Sequence, residues 1–123
     1  MTTLLLVDDQ PTVRRGLRMR LGLEPGLKVV GEAENGERAL ALATQLHPDV
    51  VVMDVEMQPM DGIAATEALR TACPDCAVVI LSLHDDNTTR ARAEAAGAVA
   101  FVAKQEKDEV LLNAIRRAAS RRS

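Results

Sequence analysis

Five short runs of branched apolar residues recur along the chain: Thr3–Val7, Lys28–Gly31, Val50–Met53, Ala77–Leu81 and Val99–Val102. All but Lys28–Gly31 are nearly unbroken. A strand that is apolar on both of its faces must be covered on both sides, and this pattern belongs to parallel sheets packed between helices. The segments between the runs carry helical spacing. Val13, Leu17 and Leu21 fall on one face at i, i+4 and i+8, and Leu111, Ile115 and Ala119 repeat the pattern near the end. With one Phe and no Trp or Tyr, the core has to be assembled from Leu, Val, Ile, Ala and Met.

Punctuation supports the alternation. Pro11 suits the first turn of a helix, with Asp9 or Gln10 ahead of it as cap. Asn35 caps the second helix and His47-Pro48 closes it, while Gly97 stops the Ala-rich segment Thr89–Ala96. The sequence therefore predicts a single α/β domain, (βα)5 and doubly wound, over residues 1–119, with 120–123 as the start of a linker or tail. Right-handed crossovers put helices on both faces. Five strands favour the flavodoxin-like five-stranded parallel sheet in the order 2-1-3-4-5.

Composition excludes several classes. No stretch approaches the ~18 apolar residues of a membrane helix. The first seven residues lack a basic lead and run straight into Asp8-Asp9, unlike a signal peptide, so no membrane partner and a cytoplasmic location are expected. A net charge of −3 argues against the domain itself binding nucleic acid. Arg14, Arg15, Arg18 and Arg20, like Arg116, Arg117, Arg121 and Arg122, read as solvated helix faces. Cys73 and Cys76 close a helix and open a strand, the wrong end of the dipole for a reactive thiolate. They are expected to be two small, buried or semi-buried thiols in a reducing compartment.

Ligands of open α/β sheets bind beyond the carboxyl ends of the strands. Strand one ends in Asp8-Asp9, strand three in Asp54, strand four in Ser82 and strand five in Lys104. In the order 2-1-3-4-5 the first and third strands are neighbours, about 4.8 Å apart, which brings three carboxylates into one crevice. Their mutual repulsion calls for a cation. Hard oxygen ligands with room for water suit Mg²⁺. A hydroxyl from Ser82 and the long ammonium stem of Lys104 add the groups that hold a phosphoryl oxygen.

On these residues the chain resembles the receiver domain of bacterial response regulators, over essentially its whole length. The matching stretches are Leu5-Leu-Val-Asp-Asp9, Val51-Val-Met-Asp-Val55, Met60-Asp-Gly62, Ile80-Leu-Ser82 and Phe101-Val-Ala-Lys104. The resemblance implies that Asp54 is the phosphoacceptor, taking a phosphoryl group from a sensor histidine kinase. It implies that Asp9, Asp54 and the backbone carbonyl of Glu56 hold Mg²⁺ directly and Asp8 holds it through water. It further implies that Ser82 and Lys104 grip the phosphoryl group, and that Ser82 and Phe101 form the switch. Glu56 and His84 would flank the path of the attacking water.

Leu81-Ser-Leu-His-Asp85 and Leu111–Ala119 look like the NarL/FixJ subfamily, whose members carry a C-terminal helix-turn-helix domain that binds DNA. Transcription control through such a domain, absent from this chain, and a homodimer formed on phosphorylation are the expectations that follow. The domain would modify only itself and is not expected to be an enzyme in the usual sense. Gln58 precedes Pro59 where receivers place proline one position earlier, and Gln105 follows Lys104 where many have proline. Two other readings are a degenerate receiver used only for docking, and a flavodoxin-like oxidoreductase. The second is weakened by the absence of a nucleotide-binding glycine loop.

Overall fold

A computed structural model describes residues 1–121. Ten elements alternate along the chain: β1 (Thr2–Val7), α1 (Pro11–Gly22), β2 (Leu27–Ala33), α2 (Gly36–Leu46), β3 (Val50–Asp54), α3 (Gly62–Ala72), β4 (Ala77–Ser82), α4 (Asn87–Ala96), β5 (Ala100–Ala103) and α5 (Asp108–Ser120). All strand pairings are parallel, in the order β2-β1-β3-β4-β5. Ser120 still belongs to α5, and the expected tail at Arg122 and Ser123 lies outside the described residues.

The double-sided burial inferred from unbroken apolar runs has a simple origin in the pleat. Leu5 and Val7 of β1 belong to the core on one face, together with Ala39 and Ala43 of α2, Ala65 and Leu69 of α3, and Ala93 of α4. Leu4 and Leu6 point to the other, against Leu17 and Leu21 of α1 and Leu111, Ile115 and Ala118 of α5. Small alanines on α2, α3 and α4 let those helices approach closely, so a core almost without aromatic rings still fills.

β2 runs to Ala33, beyond the expected Gly31. It is an edge strand, and its register against β1 shifts between Leu4 and Leu5, so that Val30 has no partner. Charge at Glu32 does not end it, because Arg14 and Arg18 of α1 reach that carboxylate at 3.3 and 2.7 Å. The expected stops are in place. Asn35 accepts from the Arg38 N–H, and His47 closes α2 in a left-handed conformation. Gly97 ends α4 at φ 108°, where a side chain would be strained and would meet Arg70. The Gln58–Pro59 peptide is cis.

Cys73 and Cys76 depart from expectation. They are joined as a disulfide, with Cα atoms 5.6 Å apart, rather than standing as two free thiols. A helix dipole bears on thiolate reactivity and not on proximity; the tight Pro74-Asp75 turn between α3 and β4 brings the two side chains together.

Candidate functional site

β1 and β3 pair as far as Val7 opposite Met53, so the next residue of each strand, Asp8 and Asp54, stands side by side at the carboxyl edge. Both are buried, with 1% and 2% of their surface exposed, while Asp9 faces solvent. One carboxylate oxygen from each of Asp8, Asp9 and Asp54 lies within 4.8 Å of the others. Local bonds hold this loop. Asp8 Oδ1 accepts from the Gln10 N–H at 2.9 Å, the Asp8 N–H donates to Ala33 O, and Pro11 starts α1 immediately after.

Lys104 reaches back from β5 across β4. Its Nζ lies 2.9 Å from Asp54 Oδ1 and 3.2 Å from Asp8 Oδ2. Asp54 Oδ1 nevertheless has no aligned hydrogen bond among the described residues. Burial pushes the Asp54 carboxyl up to about 7; the Lys104 ammonium pulls it down and the neighbouring Asp8 carboxylate pushes it up again. Burial alone would lower the Lys104 ammonium, but Asp54 and Asp8 together hold it above its ordinary value. One cation shared between two buried carboxylates, with a third carboxylate at the rim, makes a donor set short of positive charge. The chemistry of that set, all hard oxygen, fits a divalent ion such as Mg²⁺.

Ser82 ends β4 next to this crevice, fully buried. Its hydroxyl donates to Glu56 Oε1 at 3.1 Å and accepts the His84 N–H at 3.0 Å. His84 Nε2 is 3.5 Å from the same Glu56 oxygen, and Glu56 Oε2 is buried with no hydrogen-bond partner among the described residues. The Glu56 side chain thus occupies the Ser82 hydroxyl, a contact not expected from the sequence, where Glu56 figures as a backbone ligand and as a neighbour of the attacking water's path. Phe101 is half-buried on β5, with the Arg90 guanidinium 4.6 Å from its ring centre.

Arg14 was also missed. It was grouped with a solvated basic face, whereas Arg14 has a side chain only 16% exposed. Its guanidinium donates to Asp8 O as well as to Glu32, tying α1 to the acidic loop and to β2. Helical periodicity could have flagged it: Arg14 follows Val13 and precedes Leu17 by three, at the border of the buried stripe.

The loop after β3 is set by Met60-Asp61-Gly62. Asp61 caps α3 by accepting from the Ala64 N–H, and the Gly62 N–H donates to Val55 O. A Cβ on Gly62 would fall 1.9 Å from the Asp54 carbonyl oxygen. Only glycine lets α3 start this close to the strand end that carries Asp54.

Residues 4–116 match the family described as the response regulator receiver domain. The chain belongs to that family. Among curated proteins, the response regulator GacA of Pseudomonas aeruginosa is 40% identical over 94% of this receiver and 54% of its own length. The nitrate/nitrite response regulator NarP of Escherichia coli is 39% identical over 91% of this receiver and 52% of its own length. The receiver spans about half the length of the curated relatives it matches. Among solved structures, the signal receiver domain of the putative response regulator NarL from Mycobacterium tuberculosis superposes with a TM-score of 0.92 at 31% identity, covering 97% of this chain and 96% of that one.

Proposed function

We propose that this receiver accepts a phosphoryl group on Asp54 from the phosphohistidine of a sensor kinase, and that the modification changes what the domain contacts. The observation that carries this reading is the cluster at the carboxyl edge of β1 and β3. There Asp8, Asp9 and Asp54 offer oxygens within 4.8 Å of one another, and Lys104 Nζ sits 2.9 Å from Asp54.

The chemistry needs a carboxylate nucleophile, neutralisation of the phosphoryl oxygens and in-line geometry. An Asp54 oxygen forms the new bond to phosphorus as the P–N bond to the donor imidazole breaks, leaving an acyl phosphate. Asp8, Asp9, Asp54 and the Glu56 backbone carbonyl would hold Mg²⁺, which would supply positive charge to the phosphoryl oxygens. Lys104 trades its ion pair with Asp54 for one with the phosphoryl group. Ser82 gives up Glu56 to donate to a phosphoryl oxygen, and Phe101 follows into the space behind it. Such a change is a shift between two packings, and the added charge of about −1.5 to −2 is enough to bias it. The domain catalyses its own modification and turns over no other substrate.

Relatives named as transcriptional regulatory and nitrate/nitrite response regulator proteins support an output in transcription. The test is incubation with Mg²⁺ and acetyl phosphate, followed by intact mass. A gain of one phosphoryl group, lost with chelator and in Asp54→Ala, is expected. An unmodified chain under saturating donor and metal would leave a docking module that works without phosphorylation.

A further inference from the structure

At the far end of β4 from Ser82, roughly 17 Å away by strand rise, the disulfide Cys73–Cys76 joins the C-cap of α3 to the residue before β4. Its two halves differ in surroundings. Cys76 lines an open hollow of about 600 Å³ that Arg70, Asp75, Gly97 and Arg121 also border. Cys73 does not line it; it is 3% exposed, and its Sγ lies 3.8 Å from Ala43 O of α2. A hollow of this size is in the range that seats a small molecule.

We infer that Cys73–Cys76 is a reversible thiol–disulfide site, separate from the acidic crevice, which small thiols of the glutathione class enter from this hollow at Cys76. Exchange proceeds by attack of a thiolate on Cys76 Sγ. The bond between that thiol and Cys76 forms, the Cys73–Cys76 bond breaks, and Cys73 leaves with the electron pair and takes a proton from water. A second thiolate then attacks the sulfur of the first, releasing the small-molecule disulfide, and Cys76 is protonated. Overall the protein disulfide is reduced to two thiols while two small thiols are oxidised to one disulfide, and oxidised glutathione drives the reverse. Once freed, Cys73 has an acceptor at hand in Ala43 O. Only Cys76 borders the hollow, and it is 8% exposed against 3% for Cys73, so Cys76 is the sulfur that an entering thiol reaches.

The test uses the whole chain. Reduced protein treated with oxidised glutathione is expected to lose two hydrogens by intact mass and to become inert to alkylation, with dithiothreitol restoring both thiols. In Cys73→Ala, the remaining Cys76 should take up one glutathionyl group at least about tenfold faster than the remaining Cys73 does in Cys76→Ala. Circular dichroism confirms that each variant is folded, and alkylation of the fully reduced native chain, with the modified cysteine mapped by peptide mass, repeats the comparison without substitution. Two thiols that persist under oxidised glutathione, or a Cys73 that reacts as fast as Cys76, would overturn the proposal. Neither readout depends on Asp54 accepting phosphate.

Discussion

Asp54 is buried beside Asp8 with one ammonium between them, and its carboxyl is pushed up to about 7. In the unfolded chain the same carboxyl titrates near 3.8. Between those values the folded state holds a proton that the unfolded state has lost, so raising the pH across this window removes stability, the reverse of the usual aspartate. Metal-free protein should therefore grow less stable from about pH 4 to pH 7, by at most about 1.4 kcal/mol per pH unit from this group. Urea denaturation of wild type and Asp54→Asn measures it; the variant is expected to lose that slope and to be the more stable protein at pH 8. An unchanged slope would place the titration elsewhere. Glu56 makes a second case. Its carboxylate holds the Ser82 hydroxyl and adds negative charge where an anionic phosphoryl group would arrive. Removing about 1 kcal/mol of such repulsion corresponds to about fivefold in rate. Glu56→Gln is expected to take up phosphate from acetyl phosphate faster by that order, read as the rate of mass gain; slower uptake would mean that Glu56 assists transfer.

The elements were legible where the signal is local. Unbroken apolar runs marked the strands, and Pro11, Asn35, His47 and Gly97 marked helix ends, because propensity, capping and left-handed backbone are properties of a few adjacent residues. Strand ends then placed Asp8, Asp9, Asp54, Ser82 and Lys104 together before any geometry was known. What stayed hidden depends on how side chains meet in space, which residue type and spacing do not fix. Arg14 on the Asp8 carbonyl, Glu56 on Ser82 and the Cys73–Cys76 bond all arise from how elements or turns close on one another. Gly62 sits between the two cases. It was visible as part of a motif, but its reason is the 1.9 Å approach of a Cβ to the Asp54 carbonyl. Gly62→Ala must push α3 away from β3, which costs about 3 kcal/mol or more. The expected readout is a lower urea midpoint together with impaired phosphate uptake; a stable variant with normal uptake would show that the loop absorbs a side chain freely.

At the scale of the molecule, one sheet carries two cores and one chemical edge. Its faces are closed by α1 and α5 on one side and by α2, α3 and α4 on the other. Packing therefore leaves the strand ends as the place where polar side chains gather, and the sheet order decides which of them meet. β1 beside β3 unites the carboxylates, and β4 with β5 brings hydroxyl and ammonium from the other flank. The disulfide at the opposite end of β4 lies outside that edge. Asp54 is the proposed destination of the phosphoryl group. Borohydride reduction of protein treated with Mg²⁺ and acetyl phosphate, followed by peptide mapping, converts an aspartyl phosphate to homoserine and locates it. Homoserine is expected at position 54 alone and only when Mg²⁺ is present. Homoserine at Asp8, Asp9 or any other carboxylate, or none at all, would contradict it.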